Sequence, residues 1–258
     1  MRAGALGRLL TLLFGFAFLY APIAAVVVYS FNASRLVTVW AGFSTRWYAS
    51  LLDNRQLLES AGVSLVVALA SAALATVLGT IAAFALARGG RIPLRASFSF
   101  AVHAPLVMPD IVLGLSLLLV FVALDFDRGL VSVILAHATL TMCYATVVVR
   151  ARVMALDPSL EEAARDLGAT PAAAFVHVVL PSLAPAIVSA FLLAFTISLD
   201  DVVIASFTAG PGATTLPMRI YSQVRLGVTP EINALSTLIL GVVGVVLLAA
   251  SRFVRLDR

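Results

Sequence analysis

Of the 258 residues, 62% are hydrophobic and 12% charged, which excludes an ordinary soluble domain, where about a quarter of residues carry charge, and marks an integral membrane protein. The net charge of +4 comes from seventeen arginines scattered in short loops, with no lysine anywhere, so there is no basic face interleaved with aromatics for nucleic acid. The single cysteine, Cys143, lies inside an apolar run, so spacing encodes neither a disulfide framework nor a metal cluster.

About 20 apolar residues cross a bilayer, and on that measure six spans are predicted, at 9–31, 60–87, 97–123, 129–149, 183–208 and 233–251. The first follows two arginines and has small residues near Ala24, as a signal peptide would, but its length favours a retained helix. Arginine-rich loops stay in the cytoplasm. Arg2, Arg8, Arg88, Arg91, Arg95, Arg150, Arg152, Arg165, Arg252, Arg255 and Arg258 put eleven charges on one side, against six on the other: Arg35, Arg46, Arg55, Arg128, Arg219 and Arg225. Both termini are therefore expected to be cytoplasmic. The outer segments are then 32–59, the tight "DFDRG" turn and a loop at 209–232 rich in turn residues.

The third span carries Pro105 and Pro109 one turn apart, just before Asp110, and is expected to break there. Two readings of Asp110 stand. It caps the following half-helix, or it contacts substrate. His103, His137 and His177 are not paired at ligand spacing, so interhelical hydrogen bonding is favoured over metal binding.

The longest inner segment runs from Arg150 to about Ser182 and is dense in helix signals. Ser159 and Glu162 form the pattern of a capping box, Gly168 the usual end of a short helix, and Thr170 and Pro171 the start of a second, expected to stop before Pro181. This is a solvated loop or, better matched to the density of signals, a docking element for another protein.

The fifth span holds adjacent carboxylates, Asp200 and Asp201. An intramembrane aspartate costs about 2.5–3.5 kcal/mol on insertion scales unless paired, hydrated or used. On a continuous helix the two would point about 100° apart. Asp201 would share a small, polar face with Ser198, Ala205, Ala194 and Thr208, and Asp200 a face with Thr196, Val203 and Ile204. That makes Asp201 the first candidate for contact with a cation. The competing reading is an interhelical hydrogen bond or an arginine pair.

Within the inner segment, Glu162, Ala163 and Ala164, then Gly168, then Val178, Leu180 and Pro181 fall at the spacing of the Glu-Ala-Ala loop of binding-protein-dependent ABC importer permeases, with Val178 in place of isoleucine. The chain resembles that family over nearly its whole length. "PLVMPDIVLGLSLLLVF", "SLDDVVIASF", "GPGATTLP" and "GVTPEINALSTLIL" are similar to the polyamine permeases, most of all to the putrescine branch. The resemblance implies an all-α membrane protein with the type I ABC importer permease fold, a single permease domain over 1–258, and a cytoplasmic coupling helix between the fourth and fifth spans. It also implies residence in a bacterial inner membrane.

The partners implied are a second permease subunit in a heterodimer, two ATPase subunits and an extracytoplasmic polyamine-binding protein, with lipid around the spans. A nucleotide-hydrolysing P-loop needs a lysine, and this chain has none. ATP and Mg are accordingly expected on the partner ATPase, no cofactor or catalytic residue is expected here, and Glu162 to Gly168 would be the coupling element. For a polyamine with an apolar middle, Asp110, Asp200 and Asp201 offer charge, Ser198 polarity, and Phe195, Phe207 and Tyr221 walls. The alternatives are a secondary transporter driven by an ion gradient, or an ABC permease for another solute.

Overall fold

The computed structural model describes residues 2–36, 39–89, 94–226 and 230–241. The second half of the predicted sixth span, Arg91, Arg252, Arg255 and Arg258 lie outside the described residues. Helices dominate: α1 (Arg2–Ser30), α2 (Arg46–Asp53), α3 (Arg55–Arg88), α4 (Arg95–His103), α5 (Asp110–Ala123), α6 (Leu130–Ala155), α7 (Ser159–Asp166), α8 (Pro171–Ala174), α9 (Leu180–Asp200), α10 (Val203–Thr208) and α11 (Leu216–Leu226). A further helix, α12, occupies 230–241.

Four helical stretches are long and apolar enough to cross a membrane among the described residues: Gly7–Ser30, Arg55–Arg88, Leu130–Ala155 and Pro171–Asp200. A fifth exists if α4 with its short 3-10 extension and α5 are counted as one span, bent by 114°. The bend falls at the expected break, where proline removes backbone donors and its ring crowds the preceding turn.

The chain divides into two compact units, 1–58 with 220–258, and 59–219. In the first, Asn32 is fully buried and organises the segment after α1. Its amide donates to the Val39 carbonyl and its Oδ1 accepts from the backbone N–H of Ser34 and Ala41. Trp47 of α2 donates its indole N–H to the Asn32 carbonyl at 2.7 Å, and Ser50 donates to Glu231 at 3.0 Å. A buried amide that both donates and accepts fixes a loop more tightly than apolar contact, since each lost bond leaves an unpaired polar group.

In the second unit α6 is the central helix. It contributes Ala145, Val149 and Val153 to a core with α3 and α9, Ala138 to a second core between the same helices, and Ala136 and Leu140 to a core with α5 and α10. Small residues let the backbones approach, as expected where dispersion and close packing hold helices together in lipid. Gly79 of α3 is the tightest of these contacts. A Cβ there would lie 2.7 Å from the Ala145 methyl and 3.1 Å from the Met142 carbonyl. Gly79→Ala is expected to cost about 1–3 kcal/mol by overpacking, read as a lower thermal midpoint of the detergent-solubilised protein. Gly62→Ala, where a Cβ meets nothing within 4 Å, should leave that midpoint unlowered.

The structure corrects several sequence expectations. The fifth span is not continuous over 183–208: α9 ends at Asp200, and Asp201 is extended (φ −66°, ψ 131°) before α10 begins. Asp201 binds the backbone N–H groups ahead of it, and that local bond competes with the helix. The second inner helix does not stop before Pro181. From Phe175 to Val179 it widens into a π turn and runs on as α9, with the Leu180 N–H bonded to the Phe175 carbonyl. The shifted register accommodates a proline that has no N–H to give. The outer segment at 209–232 is not only turns. It contains α11, whose Leu216 N–H is taken by Ser64 of α3 at 2.7 Å.

Candidate functional site

Two clusters emerge in the second unit. The first is the projecting helix α7. The predicted Ser159 to Glu162 capping box does not form. Ser159 is already helical, and Asp157 supplies the cap, its Oδ1 accepting the Ser159 N–H at 2.9 Å. That bond, helped by the Arg88 charge, holds the Asp157 carboxyl below the usual carboxylate range. Gly168 closes the helix at φ +89°, a conformation that side chains with a Cβ avoid. Thr170 caps α8 as expected, accepting the Ala173 N–H at 3.2 Å.

No residue of α7 is buried. Glu162, Ala163 and Gly168 are exposed, Ala164 and Leu180 half-buried, and Pro181 exposed. The face also presents two leucines that the sequence pattern did not single out, Leu160 at 50% exposure and Leu167 at 90%. An apolar side chain so open beside a charged helix is the composition of a docking surface. Its root is firm. Phe175 meets Phe84 of α3 edge-on at 4.9 Å, and Val179 and Leu183 join the α3–α6 core.

The second cluster is polar and lies within the helix bundle. Ser71 of α3 and Ser198 of α9 share a hydrogen bond of 2.9 Å, and Ser198 Oγ lies 2.7 Å from His137 Nδ1 of α6. His137 Nε2 is 3.2 Å from Asp201 Oδ2, a close contact without an aligned hydrogen bond. The carboxylate also accepts the N–H groups of Ala205 (2.8 Å) and Ile204 (3.3 Å) at the first turn of α10. His137 is 1% exposed and the Asp201 side chain 10%. The chemical order matches a serine–histidine–aspartate relay, but Ser198 is buried and its hydroxyl is shared between Ser71 and His137, so the cluster joins three helices and the α9–α10 break. Buried polar groups that satisfy one another in this way rigidify a packed interior.

The other predicted site residues are not members of this hydrogen-bonded cluster. Asp200, one residue before the break, is exposed. Asp110 is also exposed, at the first position of α5, and makes no side-chain cap; Pro109 occupies the capping position. Phe207 is half-buried against Gly114, where a Cβ would come within 2.7 Å of its ring. Tyr221 belongs to the other unit and is exposed, with the Arg225 guanidinium 4.6 Å over its ring and bonded to its hydroxyl at 2.7 Å. His103 and His177 bond to carbonyls of their own helices, at 2.7 and 2.9 Å, so only His137 makes the expected interhelical bond. Among the described residues no group of three or more His, Cys, Asp or Glu side chains could hold a metal.

The chain as a whole is similar to known proteins. The family described as "Binding-protein-dependent transport system inner membrane component" matches residues 75–256. The chain is 56% identical over 245 residues to the putrescine transport system permease protein PotI of Escherichia coli K12, covering 93% of this chain and 87% of that one. It is 40% identical over 243 residues to the spermidine/putrescine transport system permease protein PotC of the same strain, covering 94% and 91%. Among solved structures it resembles a bacterial ABC transporter that imports alginate, with a TM-score of 0.75 at 16% identity over 97% of this chain and 95% of that one. It also resembles the methionine transporter MetNI, with a TM-score of 0.63 at 22% identity over 78% and 96%. At those identities the structural likeness concerns the fold alone. A helical bundle with an exposed, glycine-ended helix between the apolar stretches Leu130–Ala155 and Pro171–Asp200, together with these matches, leads to one conclusion: the chain belongs to the family of inner-membrane components of binding-protein-dependent transport systems.

Proposed function

We propose that this chain is a permease subunit of an ATP-driven importer and that it carries a polyamine, putrescine foremost, across a bacterial inner membrane. The observation that supports the transport mode is α7, none of whose residues is buried, capped by Asp157 and closed by Gly168. The observation that supports the substrate is the 56% identity to a putrescine permease. In this reading the chain forms a single permease domain of six spans with both termini cytoplasmic. Glu162, Ala163, Ala164 and Gly168, with Leu180 and Pro181 behind them, dock the chain on one of two ATPase subunits that bind ATP and Mg. A second, different permease subunit completes the pathway, and an extracytoplasmic polyamine-binding protein delivers the substrate.

The polar cluster refines the roles of the pathway residues. Asp201 is held by His137 and two backbone N–H groups, and Ser198 is held with it, so both anchor the break. The break leaves Asp200 at the exposed end of α9. Asp200, with Asp110 as a second charge, then offers the carboxylate that a dication needs, and Phe207 offers a wall for its methylenes.

The test is uptake into liposomes by the chain together with its partner permease, ATPase subunits and binding protein. ATP-dependent putrescine uptake is expected, falling about ten-fold in Asp200→Asn, as loss of one charge-assisted contact predicts. Uptake by this chain alone, driven by an ion gradient, would establish secondary transport instead. Unchanged kinetics in Asp200→Asn would remove that residue from the pathway.

A further inference from the structure

The arginines at the α7 end of the bundle do more than mark a side of the membrane. Arg88, the last residue of α3, donates from Nη2 to the Leu156 carbonyl at 2.7 Å and reaches the Val153 carbonyl at 3.4 Å. Both acceptors lie at the C-terminal end of α6, where carbonyls have no intrahelical partner and a cation complements the helix dipole. Leu156 then turns extended, with ψ 133°, and the next residue, Asp157, caps α7. Arg88 therefore sits at the joint between a membrane-crossing helix and the projecting helix, on a third element that is continuous with neither.

Two neighbouring arginines also reach backbone carbonyls of helices. Arg95 donates to the Leu86 carbonyl in the last turn of α3, and Arg152 of α6 reaches the Ser182 carbonyl of α9 at 3.4 Å. Higher up the same two helices, α3 and α6 touch at Gly79 and are linked again through Ser71, Ser198 and His137.

We propose that Arg88 is a positioning residue that joins α3 to the α6–α7 hinge, so that displacement of α7 moves α3 and α6 as one body. A displaced α7 whose hinge was held by α6 alone would be absorbed by the extended backbone at Leu156, because a single chain crossing there has free φ and ψ. With the guanidinium bridging the carbonyls, the same displacement must carry the end of α3 with it. The movement then reaches Ser71 and the polar cluster. This rests on the proposed docking of α7 to an ATPase subunit.

The experiment compares wild type, Arg88→Gln and Arg88→Lys in the reconstituted complex, reading bound ATPase subunit, amide hydrogen exchange over residues 156–160 and polyamine transported per ATP hydrolysed. In Arg88→Gln the ATPase subunits should remain bound while exchange over 156–160 rises about ten-fold, as expected for loss of a charged hydrogen bond. Transport per ATP should fall by at least about five-fold, the lower end of measured coupling between sites. Arg88→Lys, which can still place a cation on one carbonyl, should recover part of both. Unchanged exchange would show that no clamp exists, and faster exchange with unchanged transport per ATP would reduce Arg88 to a staple; either result overturns the proposal. Failure of the wild-type chain to hold an ATPase subunit is a separate outcome, and it overturns the docking of α7 itself.

Discussion

Asp201→Ala is expected to destabilise the membrane bundle by about 0.5–2 kcal/mol. The substitution removes the acceptor of the Ala205 and Ile204 N–H groups, a capping loss of about 0.5–2 kcal/mol. It also removes the carboxylate 3.2 Å from Nε2 of the 1%-exposed His137, a contact without an aligned hydrogen bond and so a smaller loss than the cap. A lower thermal midpoint in detergent, with a loss of folded protein in membranes, is the measurement. Asp201→Asn separates cap from charge, because asparagine caps about as well as aspartate. Its midpoint should lie close to wild type, and uptake per folded molecule should be largely kept. A sharp fall in uptake with an unchanged midpoint would instead give the Asp201 charge a direct part in transport.

Gly168→Val should abolish uptake while leaving insertion and the bundle intact. At φ +89° a β-branched residue costs on the order of 1–3 kcal/mol, and the short connection to Thr170 relieves that strain by changing direction. No atom lies within 4 Å of a Cβ at this position, so the effect is on backbone geometry and not on packing. The reorientation moves Leu167 and the end of α7 away from the surface they present. Uptake is expected to fall at least about ten-fold, with ATPase subunits lost from the purified complex, because 1.4 kcal/mol already corresponds to a factor of ten in an equilibrium. Gly168→Asn should lose less, since asparagine visits the left-handed region more readily. Normal uptake in Gly168→Val would remove α7 from the coupling path.

What was legible in the sequence was what neighbouring residues decide among themselves. Thr170 and Pro171 start a helix because a hydroxyl and a preset φ act within one turn, and the structure forms that cap. Gly168 ends α7 for an equally local reason. The break before Asp110 follows from the two prolines. Local rules failed where two local partners compete. Ser159 and Glu162 matched a capping box, but Asp157 stood two residues closer to the start and took the same N–H. Pro181 looked like a stop, and the π turn over Phe175–Val179 absorbed it. The exposure of Leu167 had no signal at all, because a leucine reads as core until the surrounding elements are placed.

The same division separates the whole molecule into two kinds of knowledge. By itself the sequence determined membrane residence, the absence of a lysine for a phosphate loop and the Glu162-to-Pro181 spacing, because hydrophobic length, charge and turn chemistry act over one element at a time. Only the tertiary structure decided the fate of the adjacent aspartates and of Arg88. Asp201 finds its partner on α6, and Ser198 bonds to residues 61 and 127 positions away. Arg88 bonds to a carbonyl 68 residues later, just past the end of α6. A buried carboxylate takes whichever donor the packing brings within about 3 Å, and chain separation of that order leaves no periodicity from which the donor can be read.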